Sequence, residues 1–200
     1  MATVKPLHDP IALFQQSLER AGQLPKERMP EPTAFALATV GDDGQPSARM
    51  LLLKHADAEG FVFYTNLESR KARELGANRK AAMCFHWAPL ELQVRAEGRV
   101  SPVTDAEADA YFATRPRGSQ LGAWASRQSR PMDHAGDLET RVADYDKQFP
   151  SGSVPRPPFW SGFRLVPDTI EFWYGKPSRL HERQQFVRDG HGWRVTRLYP

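Results

Sequence analysis

The chain has 200 residues, of which 40% are hydrophobic and 10% aromatic, and this composition excludes a disordered protein and fits one domain over 1–200. Its 27 basic residues are nearly balanced by 24 acidic ones, so the net charge of +3 does not by itself indicate nucleic-acid binding. The single cysteine excludes an internal disulfide, and the six histidines lack the spacing of a metal site. No stretch approaches the roughly 18 apolar residues of a membrane span. Because the chain start also lacks an apolar signal segment, we expect a cytoplasmic protein with no membrane partner and a flexible segment at 1–8.

The first half of the chain predicts one helix followed by a run of antiparallel strands. Asp9 and Pro10 are the residue types favoured at an N-cap and at the first helical position, and this helix should cover one end of a sheet. Strands are predicted at 33–40, 47–54, 61–65, 81–86 and 90–100, with a helix at 68–78. Their short connections indicate a closed or nearly closed barrel, because closure removes exposed strand edges.

The second half begins with helices and ends with strands. The run from Thr104 to Glu107 has the pattern of a capping box and predicts a helix that ends near Thr114. A further helix is predicted at 137–149, a proline-rich connection at 151–158, and strands at 163–166, 170–174, 183–188 and 193–198. The predicted class is therefore mainly β with flanking helices (α+β).

Cationic residues cluster where the second and third strands end and the next helix begins. Arg49 and Lys54 bracket an apolar strand, and Thr65 precedes a helix whose first turn holds Arg70 and Lys71. A helix start presents unpaired N–H groups and partial positive charge, so these residues predict a phosphate seat. The alternative is an exposed strand end beside a solvated basic helix. Strict alternation would also place Arg49 and Lys54 on opposite strand faces.

A second candidate cluster follows the capping box. Tyr111 and Arg115 are four residues apart and share a helix face, Pro116 is expected to end the helix, and Ser119 is expected in the turn that follows. Their hydroxyl and guanidinium groups could hold a second phosphate. The alternative is an ordinary helix end, since Arg-Pro is common there.

A third cluster lies near the C-terminus, where Arg179, His181 and Arg183 alternate with Leu180 and Glu182. In an extended chain these three side chains project to one side, which suits an anionic or planar ligand. The alternative is an edge strand protected by its charges.

The sequence contains no glycine-rich phosphate loop, no G-x-S-x-G pattern and no pattern of a hydrolytic nucleophile. Two phosphate-like sites without such a nucleophile indicate that a bound cofactor supplies the chemistry and that the protein positions it.

Five runs resemble those of the FMN-dependent pyridoxine/pyridoxamine 5′-phosphate oxidase family: 49–54, 63–72, 115–124, 158–164, and 170–173 together with 179–183. The resemblance extends in order from about Asp9 to Pro200. It implies an FMN-binding split β-barrel that acts as a homodimer, with FMN at the subunit interface. The implied activity is oxidation of pyridoxamine or pyridoxine 5′-phosphate to pyridoxal 5′-phosphate, with oxygen as acceptor and hydrogen peroxide as by-product.

The resemblance also implies roles for individual residues. The expected FMN-binding residues are Arg49, Met50, Leu51, Leu52, Leu53, Lys54, Tyr64, Thr65, Arg70, Lys71, Gln93, Gln128, Ser129, Trp173 and Arg183. The expected substrate-binding residues are Lys54, Tyr111, Arg115, Ser119, Arg179, Leu180 and His181, and catalysis is expected of Arg179 and His181. Trp173 and Arg183 are expected from the partner subunit.

Two other functions are compatible with parts of this pattern. A split-barrel flavin carrier, sensor or reductase would share the FMN seat but would not need Arg179, His181 or the Tyr111 cluster. A nucleic-acid-binding barrel would want aromatic residues interleaved with lysines on an open strand face, whereas the basic residues here cluster at element ends.

Overall fold

The computed structural model describes residues 9–150 and 152–200, and the segment 1–8, predicted to be flexible, lies outside them. The strands are β1 (Ala34–Val40), β2 (Pro46–Leu52), β3 (His55–Asp57), β4 (Gly60–Asn66), β5 (Lys80–Trp87), β6 (Leu92–Pro102), β7 (Trp160–Tyr174), β8 (Glu182–Asp189) and β9 (Gly192–Leu198). The helices are α1 (Pro10–Gly22), α2 (Arg70–Ala77), α3 (Asp105–Thr114), α4 (Arg117–Ala125) and α5 (Asp137–Gln148).

All nine strands of the described residues join one antiparallel sheet. Its order is β2-β1-β5-β6-β7-β4-β3, and β8 and β9 continue from the second half of β7. The sheet curls into a half-barrel around a core rich in phenylalanine. The mainly β class with flanking helices is therefore confirmed.

Helix α1 closes one end of this core, as its sequence predicts. The Asp9 carboxylate accepts a hydrogen bond from the Ile11 amide at 2.9 Å and caps the helix. Phe14 is fully buried, and its ring centroid lies 4.9 Å from those of Phe61 and Phe85. Edge-to-face contacts of this kind join the helix to two strands of the sheet.

The last part of the sheet differs from the prediction, because strands expected at 163–166 and 170–174 form the single strand β7. Pro167 cannot donate a ladder hydrogen bond, and the sheet accommodates it with a register shift between Glu97 and Gly98. A Cβ at Gly98 would lie 2.0 Å from the Val166 carbonyl oxygen. The glycine therefore permits the close backbone approach that keeps β7 continuous.

The prediction that Ser119 lies in a turn is wrong. Pro116 ends α3 as expected, but its extended backbone leads directly into α4, and Ser119 lies inside that second helix. The amide of Ser119 donates to the Pro116 carbonyl at 2.8 Å. Proline stops the helix before it yet suits the start of the helix after it, so the chain turns between two helices without a loop.

Candidate active site

The start of α2 builds a polar seat around a buried ammonium group. Lys71 is 7% exposed, and its Nζ donates to Thr65 Oγ1 at 3.1 Å, to Ser69 Oγ at 3.2 Å and to Gln128 Oε1 at 3.0 Å. Ser69 is also the N-cap of α2, where its side chain accepts from the Ala72 amide. The seat therefore combines a lysine with the positive end of a helix.

The charge of Lys71 has no acidic contact. Within residues 9–150 and 152–200, no carboxylate oxygen lies within 4.0 Å of its Nζ, whose partners are uncharged oxygens. Burial and then the nearby Arg49 charge lower its pKa to about 8, although the Glu74 carboxylate acts in the opposite direction. A buried cation with only neutral partners is a fitting site for an external anion.

Ser129 and Arg70 complete the rim of this seat. Ser129 adopts a left-handed backbone, with φ of 68°, and its Oγ accepts from the Arg70 amide at 3.2 Å. The Arg70 side chain is 57% exposed and donates through Nε to Glu74 at 2.7 Å. Gln128 and Ser129 thus reach the α2 start from a segment about 60 residues further along the chain.

A second cationic cluster lines a cavity of about 380 Å³ beside this seat. Lys54, Tyr111, Arg115 and Ser119 face this cavity, as the sequence predicts they should converge. Lys54 follows the end of β2 rather than lying within it, so strand alternation does not fix its direction. Arg49 does not line this cavity, so the two cations that alternation placed on opposite faces do not meet there.

Arg115 is the residue of this cluster that has a buried donor atom without a hydrogen-bond partner. Its Nη1 is buried and has no hydrogen-bond partner among the described residues. Its Cζ lies 4.8 Å from the Trp160 ring centroid and 5.4 Å from that of Phe112, so aromatic faces hold the guanidinium. Burial lowers the pKa of Arg115. A buried unsatisfied guanidinium donor at a cavity wall is a fitting contact for a phosphate oxygen.

The cavity joins the two cationic sites. Thr65 and Gln128, which hold the Lys71 ammonium, also line the cavity that Arg115 faces. The sequence-predicted residues in its lining are Leu51, Lys54, Tyr64, Thr65, Tyr111, Arg115, Ser119 and Gln128. Ligand pockets span roughly 300–1,000 Å³, so this cavity has room for one ligand of moderate size.

The remaining residues of β2 point in two directions. Arg49 and Leu51 lie on the inner side of the sheet, and the Arg49 guanidinium donates to the Leu37 carbonyl, to Thr39, Ser47 and Glu74. Met50 and Leu52 lie on the outer side and are 64% and 38% exposed, whereas Leu53 beyond the strand is buried. The structure therefore does not bring all of 49–54 to one surface.

The predicted C-terminal residues form a row across three strands. Gln93 on β6 pairs with Trp173 on β7, which pairs with Arg183 on β8. Directly opposed residues share a face of the sheet. Arg183 is anchored there, because it donates through Nε and Nη2 to Glu171 at 2.9 and 3.0 Å. This row lies outside the lining of the Arg115 cavity.

The prediction that the run from Arg179 to Arg183 is extended throughout is wrong. Ser178 and Arg179 have φ values of 57° and 62° in a short helical turn, and β8 begins only at Glu182. The turn interrupts the alternation on which the prediction depends. His181 instead packs against Trp173, with ring centroids 4.5 Å apart.

His181 is nevertheless held in a defined orientation. Its Nδ1 accepts a hydrogen bond from the Lys176 amide at 3.1 Å. The neutral imidazole therefore carries its proton on Nε2, which remains the nitrogen that can meet a ligand. Leu180, predicted to contact substrate, is 72% exposed beside it.

Two residues that the sequence analysis did not select belong to this arrangement. Trp160 stacks on Tyr64 with centroids 5.3 Å apart and supports Arg115. Glu74 binds both Arg49 and Arg70. The i, i+4 spacing of Arg70 and Glu74 could have indicated their ion pair from the sequence, but nothing in the sequence linked Glu74 to Arg49.

Solved structures place this fold among split-barrel proteins. The structure superposes on PhzG from Burkholderia lata 383, solved with tetrahydrophenazine-1-carboxylic acid, with a TM-score of 0.90 and 33% identity over 98% of this chain and 95% of that one. It also matches a pyridoxamine 5′-phosphate oxidase-related, FMN-binding protein from Nostoc punctiforme, with a TM-score of 0.73 and 17% identity over the whole of both chains. The second likeness shows the fold alone.

Sequence comparisons then show the family. Residues 25–146 match the family model described as pyridoxamine 5′-phosphate oxidase, and residues 160–200 match that of the pyridoxine 5′-phosphate oxidase C-terminal dimerisation region. The chain is 58% identical to the pyridoxine/pyridoxamine 5′-phosphate oxidase of Myxococcus xanthus DK1622, over 96% of this chain and 92% of that one. It is 56% identical to that of Rhodospirillum rubrum, over 96% of both chains. The chain therefore belongs to the pyridoxine/pyridoxamine 5′-phosphate oxidase family.

Two further observations concern membrane spans and metal sites. Within the described residues, no helix has both the length and the apolar character required to cross a membrane. The same part of the chain contains no group of three or more histidine, cysteine or acidic residues arranged to hold a metal ion.

Proposed function

We propose that this protein oxidises pyridoxine 5′-phosphate or pyridoxamine 5′-phosphate to pyridoxal 5′-phosphate, with FMN as cofactor, oxygen as electron acceptor and hydrogen peroxide as by-product. The observation that carries the proposal is the junction of two cationic sites at one cavity. Lys71 is buried, as is the Nη1 atom of Arg115, and neither residue has a carboxylate partner among the described residues. Two phosphorylated molecules would satisfy these two charges.

The residues at the α2 start suit the FMN phosphate. Lys71, the Arg70 guanidinium and the hydroxyls of Thr65 and Ser129 would bind its oxygens, with Gln128 bridging to the cavity. The other proposed FMN contacts are Met50, Leu51, Leu52, Leu53, Lys54, Tyr64, Gln93, Trp173 and Arg183. The guanidinium of Arg49 is already bound to Glu74 and its neighbours, so its proposed role in FMN binding is indirect. When bound, FMN supplies a hydride acceptor for the carbon that carries the alcohol or amine.

The second site suits the substrate phosphate. Arg115 would donate from its unsatisfied Nη1, with Lys54, Tyr111 and Ser119 completing the contact. Their main contribution is to fix the distance and orientation of the reacting carbon.

Arg179, Leu180 and His181 are proposed to cover the substrate ring. Since His181 Nδ1 is occupied by the Lys176 amide, Nε2 is the atom that would hold or move a proton. This set does not line the Arg115 cavity within one chain. A homodimer resolves the separation if the partner subunit supplies the C-terminal residues, and the match of 160–200 to a dimerisation region supports this arrangement. A cytoplasmic location remains part of the proposal.

The test is to mix FMN-loaded protein with pyridoxine 5′-phosphate in the absence of oxygen. We expect loss of visible flavin absorbance and its return when oxygen is admitted. Unphosphorylated pyridoxine, at the same concentration, should bleach the flavin far more slowly because it cannot use the Arg115 site. Bound FMN that stays oxidised would favour a flavin carrier, sensor or reductase, and a protein that binds no FMN would contradict the cofactor assignment.

The Arg115→Ala variant locates the substrate phosphate in the same assay. Loss of one charge-assisted contact should raise the substrate KM by about tenfold or more while FMN affinity is unchanged. An unchanged KM would contradict the assigned contact.

A further inference from the structure

Glu74 is a buried carboxylate that lies between α2 and the sheet. It is 7% exposed, and its two oxygens have different partners. Oε1 accepts from Arg70 Nε at 2.7 Å, whereas Oε2 accepts from the hydroxyls of Thr39 and Ser47 and from Arg49 Nη2 at 3.1 Å. One side chain therefore joins the helix that starts the phosphate seat to the first two strands.

The ionised form of Glu74 is strongly favoured. Burial raises its pKa, but hydrogen bonds from Thr39, Ser47 and Arg70, together with the Arg49 charge, outweigh burial and lower the pKa to about 2. Glu74 is therefore an anion at neutral pH.

The two arginines that Glu74 binds differ in how many of their guanidinium N–H groups have a partner. Both Nη groups of Arg49 are already occupied, because they also contact the Leu37 carbonyl, Thr39 and Ser47. Arg70 contacts Glu74 through Nε alone. Its side chain is exposed, and its two Nη groups have no hydrogen-bond partner among the described residues. Glu74 thus fixes the Nε side of the Arg70 guanidinium and leaves the two Nη groups available to another partner.

We propose that Glu74 is a positioning residue for the cofactor phosphate, which fixes Arg70 so that its Nη groups meet the anion bound at Lys71. The inference rests on the proposed function, since it takes FMN as the ligand of this seat. A guanidinium fixed in advance loses less conformational freedom on binding than a free one, so the preorganised contact is stronger. Arg49 would act behind it, as the charge that holds Glu74 in place.

The experiment measures dissociation constants of FMN and riboflavin by flavin fluorescence, for the wild type and for Glu74→Gln. Riboflavin lacks the phosphate, so it reports every contact except the proposed one. We expect FMN affinity to fall by about tenfold in Glu74→Gln, while riboflavin affinity changes by less than about twofold.

Glu68→Gln is the matched control. It removes the same charge from the start of the same helix region, and Glu68 also pairs with an arginine, Arg130 at 2.8 Å. Glu68 contacts neither Arg49 nor Arg70 within the described residues. We expect the control to leave both dissociation constants unchanged.

A double-mutant cycle with Arg70→Gln identifies the route of the effect. If Glu74 acts by fixing Arg70, adding Glu74→Gln to Arg70→Gln should cause little further loss of FMN affinity. Fully additive losses, equal losses for FMN and riboflavin, or tighter FMN binding in Glu74→Gln would each overturn the proposal. If Glu74→Gln does not fold, Glu74→Asp replaces it, because the shorter carboxylate keeps the charge but cannot contact both arginines.

The wild-type arm separates this inference from the proposed function. Wild-type protein that does not prefer FMN over riboflavin would overturn both. A preference for FMN that is as large in Glu74→Gln as in the wild type would overturn only the role of Glu74.

Discussion

Lys71 and Arg70 are adjacent in the sequence but have different environments. Both were predicted to contact a phosphate from the first turn of a helix. Lys71 instead points inward and bonds three neutral oxygens, whereas Arg70 lies at the surface against Glu74. The rotation of α2 on the sheet decides which cation is buried, and that rotation depends on contacts with β1.

The pH dependence of FMN binding should report Lys71. With a pKa of about 8 in the ligand-free protein, this ammonium loses its proton as the pH rises above 8, and the attraction for an anion is lost with it. Fluorescence titrations from about pH 7 to about pH 9 should show falling FMN affinity for the wild type and a flatter profile for Lys71→Arg, since arginine keeps its proton. An equal slope in both proteins would assign the pH dependence to another group.

The lowered pKa of Lys71 also affects stability, and here the change with pH is opposite to that of FMN affinity. The unfolded lysine keeps its proton to about pH 10.4, so between that pH and about 8 the unfolded chain binds more protons than the ligand-free folded chain. The Lys71 contribution to the free energy of unfolding therefore rises with pH over this window.

At the scale of elements, two helix N-caps have the same local chemistry and different surroundings. Thr104 caps α3 in the predicted capping box, and its hydroxyl accepts from the Glu107 amide. Ser69 caps α2, but its hydroxyl also accepts from Lys71 in the proposed phosphate seat. Thr104 therefore only caps its helix, whereas Ser69 both caps its helix and belongs to the proposed phosphate seat.

Substituting each cap with alanine should separate these roles. Ser69→Ala and Thr104→Ala should each lower the free energy of unfolding of the FMN-free protein by about 1 kcal/mol, because each leaves helix N–H groups without a partner. Only Ser69→Ala should weaken FMN binding. Urea denaturation gives the first quantity and fluorescence titration the second, and equal FMN affinities for the two variants would argue against a seat at α2.

At the scale of the whole molecule, the outer face of the sheet has a surface that suits contact with a second copy of the chain. Met50, Ala36 and Cys84 are paired in register across β2, β1 and β5. Met50 is 64% exposed beside these smaller residues. An exposed apolar side chain on a flat strand surface suits burial against a second copy, in agreement with the match to a dimerisation region.

We therefore expect a mass of twice 22.6 kDa in solution by light scattering. Met50→Glu should shift the protein towards monomer, because a buried charge opposes association. Met132→Glu is the matched control, since Met132 is 61% exposed but lies in the segment before α5. A dimer that persists in Met50→Glu would exclude this face as the interface.

The amino-acid sequence by itself determined the features that local chemistry controls. The Asp9 and Thr104 caps were predicted correctly, because a cap bonds amides only two or three residues away. The cationic clusters were visible as well, since they are defined by residue types at short spacings.

Only the tertiary structure decided how those features meet. Thr39 lies 35 residues from its partner Glu74, and Thr65 lies 63 residues from Gln128, so no local pattern reports either contact. The single strand β7, the position of Ser119 inside α4 and the turn at Arg179 likewise depend on neighbouring strands or on backbone conformations that alternation does not predict. Long-range packing determines which charges are buried without a partner, and those charges define where a phosphate can bind.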